Sequence, residues 1–220
     1  MVIDGYADFA CPWCFVGLRR FRRALVGFPG AERVRVAHRP FQLDAALTGP
    51  VVPLLAALAG RFGHQEAERA VRQVCAAGAE VGIGFRFDLA LSVNTFDAHR
   101  LAWFAGGGQA APDLVERLVE RLFAAQFVDG RDVSDHGVLT ELAVRAGLDG
   151  DRVAAYLASG EDVALVRDAV AEAGRAGVVE LPAYVFPGGL RLSGSVSTSD
   201  YRRLLERAGV TAGSFPGHRR

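Results

Sequence analysis

The spacing of apolar positions changes along the chain, and each change marks an element. Val2-Ile3-Asp4-Gly5-Tyr6-Ala7 is a short apolar run of the kind a buried strand leaves. Cys14, Leu18, Phe21 and Leu25 then fall on one face of a helix, with Arg19, Arg20, Arg22 and Arg23 elsewhere on it. Phe28-Pro29-Gly30 stops that helix. Val34, Val36 and His38 alternate with Arg33, Arg35 and Arg39, the period-two pattern of a half-buried strand that ends at Pro40-Phe41-Gln42-Leu43. After a break from Gly49-Pro50 to Pro53, helical periodicity runs over 64–81, 95–106, 112–128, 134–146, 150–158 and 162–176. Thr95 and Ser134 read as caps, and Gly147 and Gly177 as terminators. Gly84 to Asp88 reads as extended. Strand character returns at Ala183-Tyr184-Val185-Phe186, turns at Pro187-Gly188-Gly189 and goes back along Leu190-Arg191-Leu192. Ser197-Thr198-Ser199-Asp200 is a capping box for a last helix carrying Tyr201, Leu204, Leu205 and Ala208 on its apolar side.

The order is βαβ, a long helical block, then αββα. It predicts an α/β domain in two halves, 1–44 and 177–210, split by an all-helical insertion over 45–176, with a flexible tail at 211–220. With 220 residues, 50% of them hydrophobic, the chain has material for a sizeable core. A net charge of zero argues against a nucleic-acid binder, and no apolar run approaches the ~18 residues of a membrane span. No basic segment followed by an apolar one is present to direct export, so the expected compartment is the cytoplasm. All 25 Lys-plus-Arg positions are arginine, which excludes lysine chemistry.

Three cysteines do not make a disulfide scaffold, but two of them form Cys11-Pro12-Trp13-Cys14 at the start of a helix. Unpaired N–H groups and the helix dipole favour a thiolate there, and a second thiol two residues on allows a dithiol–disulfide cycle. Cys11 is the candidate nucleophile, expected to stay accessible, and Cys14 the inward-facing resolving thiol. Pro12 suits the first helical turn, where its missing N–H has no partner to lose, and Trp13 would cover the site. Structural zinc needs four ligands and there is no second C-x-x-C, so no metal is expected. Cys75, on an apolar stripe with Ala67, Val71 and Val74, reads as an inert core thiol, and His38 as structural.

Several segments together resemble the DsbA-like branch of the thioredoxin superfamily, and within it the FrnE-type subfamily. They are Asp8-Phe9-Ala10-Cys11-Pro12-Trp13-Cys14 with Gly17, Arg39-Pro40-Phe41-Gln42-Leu43, Asn94 to Leu101, Gly147-Leu148-Asp149 and Leu181-Pro182. The resemblance covers about residues 1–208 and implies a thioredoxin fold split by a helical insertion. It places a cis-proline at Pro182, with Leu181 offering its backbone to an extended substrate, and sets His99 at the cleft or at the edge of the core. Where the subfamily usually has a small residue, then valine or threonine, this chain has Glu180 and Leu181. Glu180 would set a carboxylate near the thiols or point to solvent, and Leu181 would narrow the groove.

The implied activity is thiol–disulfide oxidoreduction on a protein or small-molecule thiol or disulfide, with the redox-active pair in place of a cofactor. A low-molecular-weight thiol would be a co-substrate, and the subfamily's company suggests a polyketide or other secondary-metabolite pathway. Homodimerisation through the insertion fits the same resemblance. Two alternatives remain. One is a thiol-dependent isomerase or transferase of the chromene-carboxylate isomerase and kappa-transferase type, which keeps serine at the motif; the other is a non-enzymatic peptide-binding holdase.

Overall fold

A computed structural model of the chain describes residues 1–107 and 112–209, so the expected tail at 211–220 lies outside the described residues. Strand β1 (Val2–Ala7) leads into helix α1 (Pro12–Leu25), and a 3₁₀ turn at Ala31–Arg33 precedes β2 (Arg35–Pro40). Strands β5 (Ala183–Val185) and β6 (Arg191–Ser193) and helix α9 (Thr198–Arg207) arrive at the other end of the chain. The four strands form one sheet in the order β2-β1-β5-β6. β1 runs parallel to β2 and antiparallel to β5, with Gly5 opposite both His38 and Tyr184. β5 and β6 make the expected hairpin, and the Ser197–Asp200 capping box starts α9. The two ends of the sequence thus build one sheet.

Between them lie α2 (Leu54–Phe62), α3 (His64–Glu80), α4 (Phe96–Gly107), α5 (Pro112–Phe127), α6 (His136–Ala146), α7 (Gly150–Ala158) and α8 (Val163–Arg175). Six of these match the apolar periodicity. Three features of this stretch differ from expectation. α2 follows Pro53 directly and has no fully buried residue; nearly all its positions are apolar, so exposed and half-buried faces look alike in sequence. The segment Gly84–Asp88 is loop, pinned where the Arg86 amide donates to the Phe127 carbonyl at 2.8 Å. The local strands are instead β3 (Val52–Pro53) and β4 (Leu91–Ser92), too short to show a period. α6 is capped by Asp135, which accepts from the Val138 amide at 2.8 Å, while Ser134 turns back to Asp132. Gly147 does end α6, in the left-handed conformation.

α1 is buried on two sides. Phe21 stacks on Tyr184 of the sheet with ring centres 4.9 Å apart and meets Tyr201 of α9 edge-on. Phe15, one and a half turns earlier, stacks on Phe123 of α5 at 5.4 Å. Arg22 ties the same helix to Glu120 at 2.6 Å. α8 lies across β2 and also touches α4, so it bridges sheet and insertion.

Candidate active site

α1 begins at Pro12, leaving Cys11 as its N-cap. The Cys14 amide in the first turn donates both to the Cys11 carbonyl at 3.0 Å and to the Cys11 sulfur at 3.3 Å. The Cys11 amide in turn donates to the Asp8 carbonyl at 2.9 Å, which fixes the turn into the helix. Both thiols are free. Cys14 is 1% exposed; burial pushes its thiol well above the ordinary range, and the neighbouring Cys11 pushes it further. Cys11 is only 6% exposed, less open than its place at a helix start suggests, because it joins the apolar cluster that contains Phe9 and Leu181. Pro12 and Trp13 are half-buried, Trp13 against the same cluster.

The Leu181–Pro182 peptide bond is cis, and both residues are buried. Pro182 packs against α1 at Gly17, where a Cβ would stand 2.6 Å from the proline Cγ. Glycine at position 17 is therefore what lets the returning chain come down onto the cysteine helix. Glu180 goes the other way: it is exposed, and its carboxylate lies over Gly194 beyond β6.

The carboxylate that bears on the thiols is Asp8. It is 1% exposed and accepts from the Ala10 amide at 3.1 Å, the Leu43 amide at 2.7 Å and the Thr95 hydroxyl at 2.7 Å, with His99 Nε2 at 3.3 Å. Burial works against its charge, but the His99 ring, the Leu43 amide and the Thr95 hydroxyl outweigh burial and hold the carboxyl below its ordinary value. Its charge also helps raise Cys14. Thr95 is thus spent on Asp8, and it is Asn94 that accepts the Phe96 amide at 2.8 Å at the start of α4. His99 is a buried partner of Asp8, its ring tilted against that of Phe9 with centres 4.8 Å apart. The one sequence signal for Asp8 was an acidic residue between an apolar strand and the cysteine motif; apart from Ala10, its partners lie 35 to 91 positions away.

A family model described as the DSBA-like thioredoxin domain matches residues 2–206. The chain belongs to that family. Its fold is accordingly the DsbA-like thioredoxin fold, a mixed α/β sheet domain with a helical insertion. A solved structure described as a probable DsbA oxidoreductase from Streptomyces coelicolor is 33% identical to this DsbA-like chain, with a TM-score of 0.86 over 95% of this chain and 90% of that one. The cytosolic disulfide reductase DsbM from Pseudomonas aeruginosa shares the fold at 20% identity, with a TM-score of 0.64 over 94% and 98% of the two chains. A 2-hydroxychromene-2-carboxylate isomerase does so at 14% identity, with a TM-score of 0.65 over 95% and 94%. No curated protein matches the sequence significantly.

Within this DsbA-like frame the sheet, α1 and the insertion bring together Cys11, Cys14, Pro12, Trp13, Leu181 and Pro182, with Asp8 and His99 behind them. Cys75 is set apart on α3, half-buried, its thiol raised by burial. Among the described residues no three His, Cys, Asp or Glu side chains gather as a metal site, and no helix is long and apolar enough to cross a membrane.

Proposed function

We propose that the chain is a thiol–disulfide oxidoreductase in which Cys11 attacks and Cys14 resolves. The observation that carries this reading is the Cys11 sulfur at the N-cap of α1, accepting the Cys14 amide. A developing thiolate there meets a donor already in place and the positive end of the helix. Cys11 thiolate attacks a substrate disulfide, forming a mixed disulfide and expelling one substrate thiolate. Cys14, after losing its proton, attacks the Cys11 sulfur; the Cys11–Cys14 disulfide forms and the second substrate thiolate leaves and takes up a proton. The raised Cys14 thiol suits this order, since it holds its proton until the mixed disulfide is there to receive it. Leu181 and Pro182 border the pair, where Leu181 offers backbone groups to an extended substrate.

The substrate class is a disulfide or thiol on a protein or a small molecule, with a low-molecular-weight thiol as recycling partner and no resident cofactor. The Asn94–Leu101 segment supports the FrnE-type assignment, and with it a cytoplasmic setting and a place beside secondary-metabolite enzymes. An intact cysteine pair argues against the serine-bearing isomerase chemistry. Titration against a glutathione redox series, followed by Trp13 fluorescence, should give a reversible two-electron transition that Cys11→Ser and Cys14→Ser both abolish. Cys14→Ser should also trap the mixed disulfide. Insulin reduction at the wild-type rate by Cys11→Ser would falsify the assignment.

A further inference from the structure

His38 is a residue the redox reading leaves unused. It lies on β2 opposite Gly5, its Nε2 shut off from solvent and without a hydrogen-bond partner among the described residues. A buried ring nitrogen left unpaired is destabilising. His38 lines a cavity of about 10 Å³ together with Cys14, Pro182 and Tyr184. It also lines a second cavity of about 20 Å³ with His99 and Phe9, and a third, open one of about 370 Å³ with Trp103 and Arg35. The first is just large enough for one water. One imidazole therefore stands between the buried resolving thiol and the outside.

We propose that His38 is the proton relay of Cys14, taking the thiol proton at Nε2 through a water in the cavity they share and passing it to the open pocket beside Trp103. The proposal rests on the reading of Cys14 as the resolving thiol. During resolution the Cys14 S–H bond breaks, its proton moves to His38, and the thiolate attacks the Cys11 sulfur and expels the substrate thiolate. The proton then leaves through the outer pocket and is restored to that product. No other electron acceptor is involved. In the resting protein His38 is held neutral, its pKa lowered to about 4 by burial and by Arg22, so its nitrogen is free to accept. Once Cys14 ionises, the thiolate's charge raises the proton affinity of the ring beside it. The other ionisable groups around these cavities are Tyr6 and Tyr184 from the sheet, Arg35 and Arg39 on β2, His99 on α4 and Glu116 on α5.

The two thiol steps separate when the reduced full chain reacts with 5,5′-dithiobis(2-nitrobenzoate). The first coloured thiolate reports attack by Cys11, and the second reports resolution by Cys14. In His38→Leu and His38→Gln the first release should stay within about twofold of wild type, while the second slows about 100-fold or more at neutral pH, the lower range of a lost general base. The deficit should shrink as pH rises, because hydroxide then takes the Cys14 proton unaided. Gln keeps a polar group but cannot carry a proton, so it should be as slow as Leu. An unchanged second release in either variant, or a deficit equal at every pH, overturns the relay. A wild-type protein that releases one thiolate and never a second overturns the reading of the pair itself, and the relay with it.

Discussion

Asp8 keeps a negative charge out of reach of water, and the Ala10 amide in its own turn with three donors from distant parts of the chain makes that tolerable. Asp8→Asn keeps the shape but loses the charge-assisted bonds, and should cost about 2–4 kcal/mol at neutral pH in urea denaturation. Because the folded carboxyl lies below its unfolded value of about 3.9, its contribution is complete above that pH and is lost as pH falls further. The gap between Asp8→Asn and wild type should therefore close below about pH 4. His38 has the opposite chemistry and the same sense. The unfolded chain takes up its proton near pH 6.5 and the folded one only near 4, so stability falls as pH drops between the two. His38→Leu should flatten that part of the urea midpoint's pH profile. Neither residue's surroundings could be read along the chain. An acid before a cysteine motif and a histidine in a strand are local facts, whereas Thr95, His99 and the cavity behind Cys14 are supplied by other elements.

α1 joins two contacts that pull in different directions: Gly17 weakens the helix, and only Gly17 admits Pro182. Alanine there gains at most about 1 kcal/mol in helix propensity. Its methyl meets a rigid ring at 2.6 Å and the Tyr201 hydroxyl at 3.2 Å, an overpacking of about 1–3 kcal/mol. Gly17→Ala should thus be net destabilising, with a lower thermal midpoint. α2 is the contrasting element. With none of its residues buried, it should show the fastest amide hydrogen exchange among the helices. The amphipathic helices were legible because each buries one face. α2 only half-buries its inner face and is apolar on both, and β3 and β4 are two residues each, so no period announces them.

Over the molecule as a whole, sheet and insertion share a core. Phe9 and Phe15, on either side of the cysteine pair, both pack on Phe123 of α5. Phe123→Ala should lower stability by about 3–5 kcal/mol, in one unfolding transition rather than two. Circular dichroism and tryptophan fluorescence should then report the same urea midpoint. The strand–helix order already implied that the two ends must meet. It did not show that α1 would be packed from both sides: the apolar face read from Cys14, Leu18, Phe21 and Leu25 leaves out Phe15, whose partner Phe123 comes from the insertion.

Pro182 closes over thiols that were made at positions 11 and 14, most of the chain before it. At about 5–20 residues per second of synthesis, both cysteines are made about 10–30 s before the proline, the hairpin and Tyr184 that cover them. The nascent protein is then a flexible dithiol rather than a selective one, open to any oxidant it meets. Its discrimination is translated long after its reactivity.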